Sequence, residues 1–240
     1  MKLTDFKVLT FDCYGTLIDW ESGIFAALQP LLQRCAPPPA RNAALEAFAR
    51  HESAVEEASP RMLYSDVLAE VHRRLAREWN APMTDAEHAR FGASVPDWPE
   101  FADSPRALQY LGEHYRLAVL SNVDRTSFRA SNARLKATFD AVYTAQDIGS
   151  YKPDPANFRY LLDKLAALGF GKDDILHTAQ SLYHDHATAK MFGLASCWID
   201  RRYDRQGWGA TAAPPPDVSF DFRFPSLEAM AEAHRREAEG

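Results

Sequence analysis

The chain has 240 residues, enough for one sizeable domain or a core with a smaller companion. Hydrophobic residues make up 46% and charged residues 25%, the balance of a globular protein. Lys+Arg number 27 against Asp+Glu 33, a net charge of −6 with no basic block, which speaks against nucleic acid or an anionic membrane surface as partner. Any anionic ligand would therefore need a local positive site.

Taken in chain order, Val8–Phe11 is a short apolar strand that ends on Asp12 and a turn, Cys13-Tyr14-Gly15-Thr16. From Leu17 to Asp97 no strand is legible; four helical stretches are, near Ile24–Arg34, Ala43–Glu57, Met62–Glu78 and Asp85–Phe91. Pro37-Pro38-Pro39 reads as a rigid connection among them, and Pro96 and Pro99, around Trp98, mark the return to a different pattern. Strand-like runs then alternate with helices: Leu117–Leu120, Ala141–Thr144, Ile175–Ala179 and Ala195–Ile199, with Val218–Phe222 as a sixth, edge strand. Ser104-Pro105 and Asp154-Pro155 read as helix starts, each a capping side chain before an N1 proline. Arg201–Pro216 is a long loop of the kind that serves function or is disordered, and Ser226–Glu239 reads as a last helix that frays. The expected architecture is an α/β core, Rossmann-like with a parallel sheet, formed by residues 1–16 and 98–240, with an all-helical cap over residues 17–97.

Chemistry gathers at strand ends, where open α/β sheets place it. Asp12 follows the first strand, Ser121-Asn122 the second, Lys152 stands in Tyr151-Lys152-Pro153-Asp154, and Asp185 lies in Ser181-Leu182-Tyr183-His184-Asp185. This order resembles the haloacid dehalogenase superfamily of aspartate-nucleophile hydrolases. The phosphatases of that superfamily carry a second Asp two residues after the nucleophile; here that position is Tyr14, which points to the 2-haloacid dehalogenase branch.

The resemblance implies roles. Asp12 is the nucleophile, Lys152 keeps it ionised, and Asp185 orients or deprotonates the hydrolytic water. Thr16 holds a carboxylate oxygen, Ser121 and Asn122 bind the substrate carboxylate, and Gln180 and His184 help handle water. A cap arginine takes the departing halide; register favours Arg50, with Arg41 and Arg61 as rivals. Each residue also has a plainer reading: Lys152 a surface lysine, Thr16 a helix cap, Asp185 a helix-start carboxylate, Arg50 a solvated arginine, and Trp20, Tyr64 and Trp98 packing residues rather than pocket walls.

The chain also departs from the family. Gln180 stands where phosphatases carry an Asp, the run Gln180–His184 replaces a small Ser-Asn pattern, and Phe158 stands where dehalogenases carry a tyrosine. The implied activity is hydrolytic dehalogenation of a short 2-haloacid through an aspartyl ester on Asp12, a small anionic substrate without organic cofactor. The alternatives are a phosphatase of the same fold or a non-catalytic binding protein on that scaffold. With Tyr14 and Gln180 replacing acids, no obligatory metal is expected. Cys13, Cys35 and Cys197, odd in number and scattered, read as reduced thiols, and with no signal-like or membrane-spanning run the expected location is cytoplasmic. A homodimer is left open.

Overall fold

A computed structural model describes the whole chain, Met1 to Gly240. Six strands form one parallel sheet in the order β3-β2-β1-β4-β5-β6, with β1 Val8–Phe11, β2 Arg116–Ser121, β3 Ala141–Thr144, β4 Ile175–Ala179, β5 Ala195–Ile199 and β6 Phe222–Phe224. β1 and β4 are buried along their whole length, as expected of central parallel strands covered by helices on both faces. The order turns outward in both directions from β1, so the crevice beyond the carboxyl ends of β1, β2 and β4 is the topological switch point.

The sixth strand differs from expectation. Pairing with β5 begins only at Phe222, opposite Cys197. Asp221 just before it turns its side chain onto the Ser196 N–H at 2.8 Å, and the preceding Asp217 has φ +63, so 218–221 approaches the sheet as a loop.

Between β1 and β2 the chain makes α1 Trp20–Ala27, α2 Gln29–Leu32, α3 Arg41–Ala58, α4 Tyr64–Glu78, α5 Asp85–Gly92 and α6 Ser104–Gly112. The first expected helix is split in two at Gln29-Pro30. The two crossings between core and helical insertion run side by side: Asp19 N–H donates to Pro99 O at 2.8 Å and Phe101 N–H to Leu17 O at 3.1 Å. α3 and α4 place Leu45, Phe48, Val55, Val67, Leu68 and Val71 in one core that is continuous with β1, so insertion and sheet share their apolar interior.

After β2 come α7 Arg125–Leu135, α8 Ala145–Ile148, α9 Pro155–Ala167, α10 Ala187–Met191 and α11 Leu227–Glu239. Asp154 caps α9 as expected, accepting from Ala156 N–H at 2.8 Å. Ser104 does not cap α6: it is the first helical residue, and the N-cap is Asp103. The Asp103 carboxylate instead receives Leu227 N–H at 2.8 Å and pairs with Arg201 at 2.7 Å, tying the start of α11 to the loop after β5. The final helix runs to Glu239 rather than fraying early. No helix is long and apolar enough to cross a membrane.

Candidate functional site

β1 delivers Asp12 to the switch point almost wholly buried. Its carboxylate is held from two sides: the Thr16 hydroxyl donates to Oδ2 at 2.7 Å and the Lys152 ammonium to Oδ1 at 2.9 Å. Thr16 in turn accepts from Gln180 N–H at 2.9 Å, which locks the turn after β1 against the end of β4. Gly15 makes that turn possible. It has φ +89, and a Cβ there would stand 3.0 Å from both Gln180 Oε1 and Trp20 Nε1.

Lys152 is the hub. Its ammonium is 1% exposed and donates to Asp12 at 2.9 Å, to Asp185 Oδ1 at 2.7 Å and to Leu120 O at 2.9 Å, so its three protons are all used. Burial works against the ammonium, but the Asp12 and Asp185 carboxylates outweigh it and hold its pKa above the ordinary lysine range. Burial also works against charge on Asp185, yet Lys152 and His177 bring it well below the usual carboxylate range. Asp12 is pushed upward by burial and by Asp185, with Lys152 and Thr16 pulling the other way.

Asp185 sits in one π-helical turn, Leu182–His186, a geometry frequent at functional sites. Its Oδ1 is shared by Lys152 and His177 Nε2, the latter at 2.9 Å, while its fully buried Oδ2 has no partner. His177 is in turn bonded through Nδ1 to the Thr10 hydroxyl at 2.8 Å. Sequence reasoning missed this Thr10–His177–Asp185 chain. Its signal is two polar residues inside the apolar strands β1 and β4, placed directly opposite each other by the register Thr10↔His177. Phe158, at the expected tyrosine position, packs its ring on His177 with centroids 4.9 Å apart.

Above these groups lies a cavity of about 30 Å³, room for one or two waters, lined among others by Asp12, Lys152, Asp185, His184, Trp20 and Tyr64. His184 is thus brought to the site, with Nδ1 3.1 Å from Ser181 Oγ; burial lowers its pKa to about 4, so it is a neutral imidazole. Cys13 is fully buried beside Asp12, and burial and the Asp12 carboxylate push its thiol well up, which disfavours the reactive thiolate.

Four expected residues are placed otherwise. Asn122 touches the cavity, but its amide clamps the Lys152 peptide, accepting from Lys152 N–H at 2.7 Å and donating to Lys152 O at 2.9 Å; it positions the lysine. Ser121 is buried with an unpartnered Oγ and does not line the cavity. The Gln180 side chain faces away to Gly15 and to the Thr211 hydroxyl, 3.2 Å off. Arg50 is on the outer surface, bonded to Glu78 at 2.8 and 2.9 Å. The physical reason is helical geometry: Glu52 lies on the inward face of α3, and a residue two positions away is about 200° around the helix. The rivals do not replace it. Arg41 bonds Ser22 at 3.2 Å and covers Phe25, and Arg61 lies beside Gly149.

What α3 brings to the Asp12 cavity is acidic. Glu52 and Glu56, one turn apart, both line the cavity and both are buried. Glu52 accepts from the Tyr64 hydroxyl at 2.7 Å, and the one hydrogen bond of Glu56 is a long 3.4 Å contact from Asn122. With no ion-pair partner, burial pushes Glu52 up to about 8, and burial together with Glu52 pushes Glu56 well above the usual range. Of the pocket aromatics, Trp20 and Tyr64 line the cavity, while Trp98 packs edge-on behind Tyr14 at 5.6 Å.

A hard divalent ion does not fit this donor set. The Tyr14 hydroxyl is turned to Ser131 at 2.8 Å, the neutral Gln180 amide is taken by the Thr211 hydroxyl, a buried ammonium already stands between Asp12 and Asp185, and burial pushes the other two lining carboxyls, Glu52 and Glu56, toward their protonated forms.

The loop after β5 completes the wall. Arg201 donates to Thr16 O at 2.9 and 3.1 Å from behind the nucleophile turn. Arg202 pairs with Glu21 of α1 at 2.6 Å, the two side chains 9% and 10% exposed, and Ala210 N–H adds a second bond to Glu21 at 3.1 Å. The loop thereby brings Thr211 to the cavity and fastens the insertion to the core.

A parallel α/β sheet with a carboxylate–ammonium–carboxylate triad at its switch point and a helical region inserted after its first strand is the architecture of a Rossmann-like hydrolase. The family model for haloacid dehalogenase-like hydrolases matches residues 6–177, and the chain belongs to that family. A search of curated proteins finds no match. Among solved structures, the chain is similar to the defluorinating L-2-haloacid dehalogenase Rha0230, at TM-score 0.76 and 19% identity over 98% of each chain. It is also similar to the L-2-haloacid dehalogenase PA0810, at TM-score 0.75 and 20% identity over 95% of this chain and 98% of that one. The L-2-haloacid dehalogenase of Xanthobacter autotrophicus with covalently bound chloropropionic acid gives TM-score 0.72 and 18% identity over 96% and 98%. At such identities the likeness is one of fold.

Proposed function

We propose that the protein hydrolyses a carbon–halogen bond of a short 2-haloacid in two steps, with residues 17–97 as cap and the remainder as catalytic core. An oxygen of Asp12 attacks the halogen-bearing carbon, the carbon–halogen bond breaks, halide leaves, and an aspartyl ester remains. Water then adds to the ester carbonyl, and its collapse releases the hydroxyacid, regenerates Asp12 and gives up one proton. Lys152 holds Asp12 ionised for attack. Asp185, too weakly basic to deprotonate water, orients it through the unpartnered Oδ2. His184, a neutral imidazole in the same cavity, is available to accept the proton.

The observation that carries this reading is the buried ammonium held between Asp12 and Asp185, which opposes the pull of burial toward a protonated Asp12 and stands beside a carboxylate oxygen without a partner. The three similar haloacid dehalogenases support the substrate class. A single turnover in ¹⁸O-labelled water is the test, because the ester route places label in Asp12 before it reaches product. Asp12→Asn should abolish halide release with the fold intact. Label found directly in the hydroxyacid, or halide release by pure Asp12→Asn protein, would refute the proposal.

A further inference from the structure

A departing halide needs a donor where charge develops, and no arginine lines this cavity; its one cation, Lys152, has no proton to spare. The groups that line the cavity from the cap are the carboxyls of Glu52 and Glu56, the Tyr64 hydroxyl and the indole of Trp20. Glu56 also lines a second, outer cleft of about 340 Å³, shared with Lys152 and His184 and edged by Glu57 and Asp154. Glu56 therefore stands where the outer cleft meets the inner cavity, with a carboxyl that is nine-tenths buried, has no ion pair, and shares the inner cavity with Asp12, Lys152 and Asp185.

Resting on the function proposed above, we infer that Glu56, backed by Glu52 and Tyr64, is the leaving-group donor of this enzyme, a neutral carboxylic acid in the place of a guanidinium, and that it tunes the site toward fluoride as leaving group. A guanidinium attracts every halide by charge. A neutral O–H discriminates by hydrogen-bond basicity, which is greatest for fluoride and falls through chloride to bromide. In the first step the Asp12 oxygen–carbon bond forms, the carbon–fluorine bond breaks, and fluoride departs hydrogen-bonded to the Glu56 O–H, the proton remaining on Glu56. Tyr64 supports the arrangement by donating to Glu52, which leaves the Glu52 proton free to point onward into the cavity.

The device works only while the acids are protonated. The groups facing the pair are Lys152, which favours ionisation of Glu56, and Tyr64, Tyr151, His184, Asp12, Asp185, Glu57 and Asp154, none of them a cation at neutral pH. Burial and Glu52 push the Glu56 carboxyl well above the usual carboxylate range, so its donor form is present below that raised value and is lost as pH rises through it.

The experiment measures single-turnover halide release from fluoroacetate, chloroacetate and bromoacetate across pH 6 to 10. Wild type should lose fluoride release toward the alkaline end of this range, and bromide release far less. Glu56→Leu should cut fluoride release by roughly 100-fold, the loss expected for one preorganised donor, and bromide release by only about threefold. Bromide release also reports that the variant is folded. The Glu52→Gln/Glu56→Gln double variant keeps amide donors that do not titrate, so it should recover part of the fluoride rate and lose the alkaline fall. Equal losses for all three halides, or a change confined to KM, would overturn the inference and leave the aspartyl-ester reading standing. Absence of halide from every substrate with wild type would remove that reading, and this inference with it.

Discussion

Replacing Lys152 by Met tests the central feature of the site directly. Methionine has nearly the length of the lysine stem, so packing is largely kept while the charge goes. In the wild type one ammonium, 1% exposed, satisfies Asp12, Asp185 and a backbone carbonyl. Its removal leaves two buried carboxylates facing each other with no cation between them. Breaking a buried ion pair from one side costs roughly 3–5 kcal/mol, which for a chain of this size lowers the melting temperature by on the order of 10 °C. The pH dependence separates this cause from simple mispacking. Asp185 has a depressed pKa in the folded wild type, so its contribution is present above the usual carboxylate range and disappears as pH falls through the lower folded value. In Lys152→Met the two carboxylates are instead raised, and the variant regains stability by taking up a proton as the solution is acidified. Urea titrations at pH 7.5 and 5 should therefore show a large deficit that narrows at the lower pH. A deficit below about 1 kcal/mol, or one equal at both values, would refute the argument that this lysine compensates two buried charges.

Three further expectations follow from the geometry. Arg50→Ala should leave halide release within about twofold of wild type and stability within about 1 kcal/mol, because Arg50 serves an exposed pair with Glu78; a loss of 100-fold in rate would restore it to the site. Turnover should persist after exhaustive chelation, and loss that Mg²⁺ alone restores would show a metal requirement. Gly209→Ala should cost roughly 1–3 kcal/mol, read as a lowered melting temperature, since Gly209 has φ +63 and its Cβ would lie 1.7 Å from Glu21 Oε1; an unchanged melting curve would contradict it.

The sheet was legible because most strands are apolar runs closed by a turn, and Asp12, Thr16, Lys152 and Asp185 were legible because they stand in the segments that follow β1, β3 and β4 in a recognisable order. Other residues were hidden for geometric reasons. His177 and Thr10 sit inside strands, where only the pairing register reveals that they face one another. Glu52 and Glu56 continue the spacing of Leu45 and Phe48, so helical periodicity alone puts them on the buried face of α3; their charge argued for the outside, and only the cavity explains the conflict. Arg50 was misplaced by reading sequence distance without helical angle. The edge strand begins later than its apolar run suggests because 218–220 approach the sheet as a loop and Asp221 meets Ser196 through both its backbone N–H and its side chain before regular pairing starts at Phe222.

The Glu21 contacts carry a consequence for traffic. On the function proposed above, a cavity that accommodates one or two waters must widen before a haloacid can enter. The paired crossings at Leu17–Asp19 and Pro99–Phe101 provide the hinge line, and Arg202 and Ala210, on Glu21, provide a clasp on the core. Opening then means wetting a nearly buried ion pair each time. Admission and product escape, rather than bond making, would set the tempo of such an enzyme, and a mutation at the clasp would be felt first as a change in how quickly the doors turn.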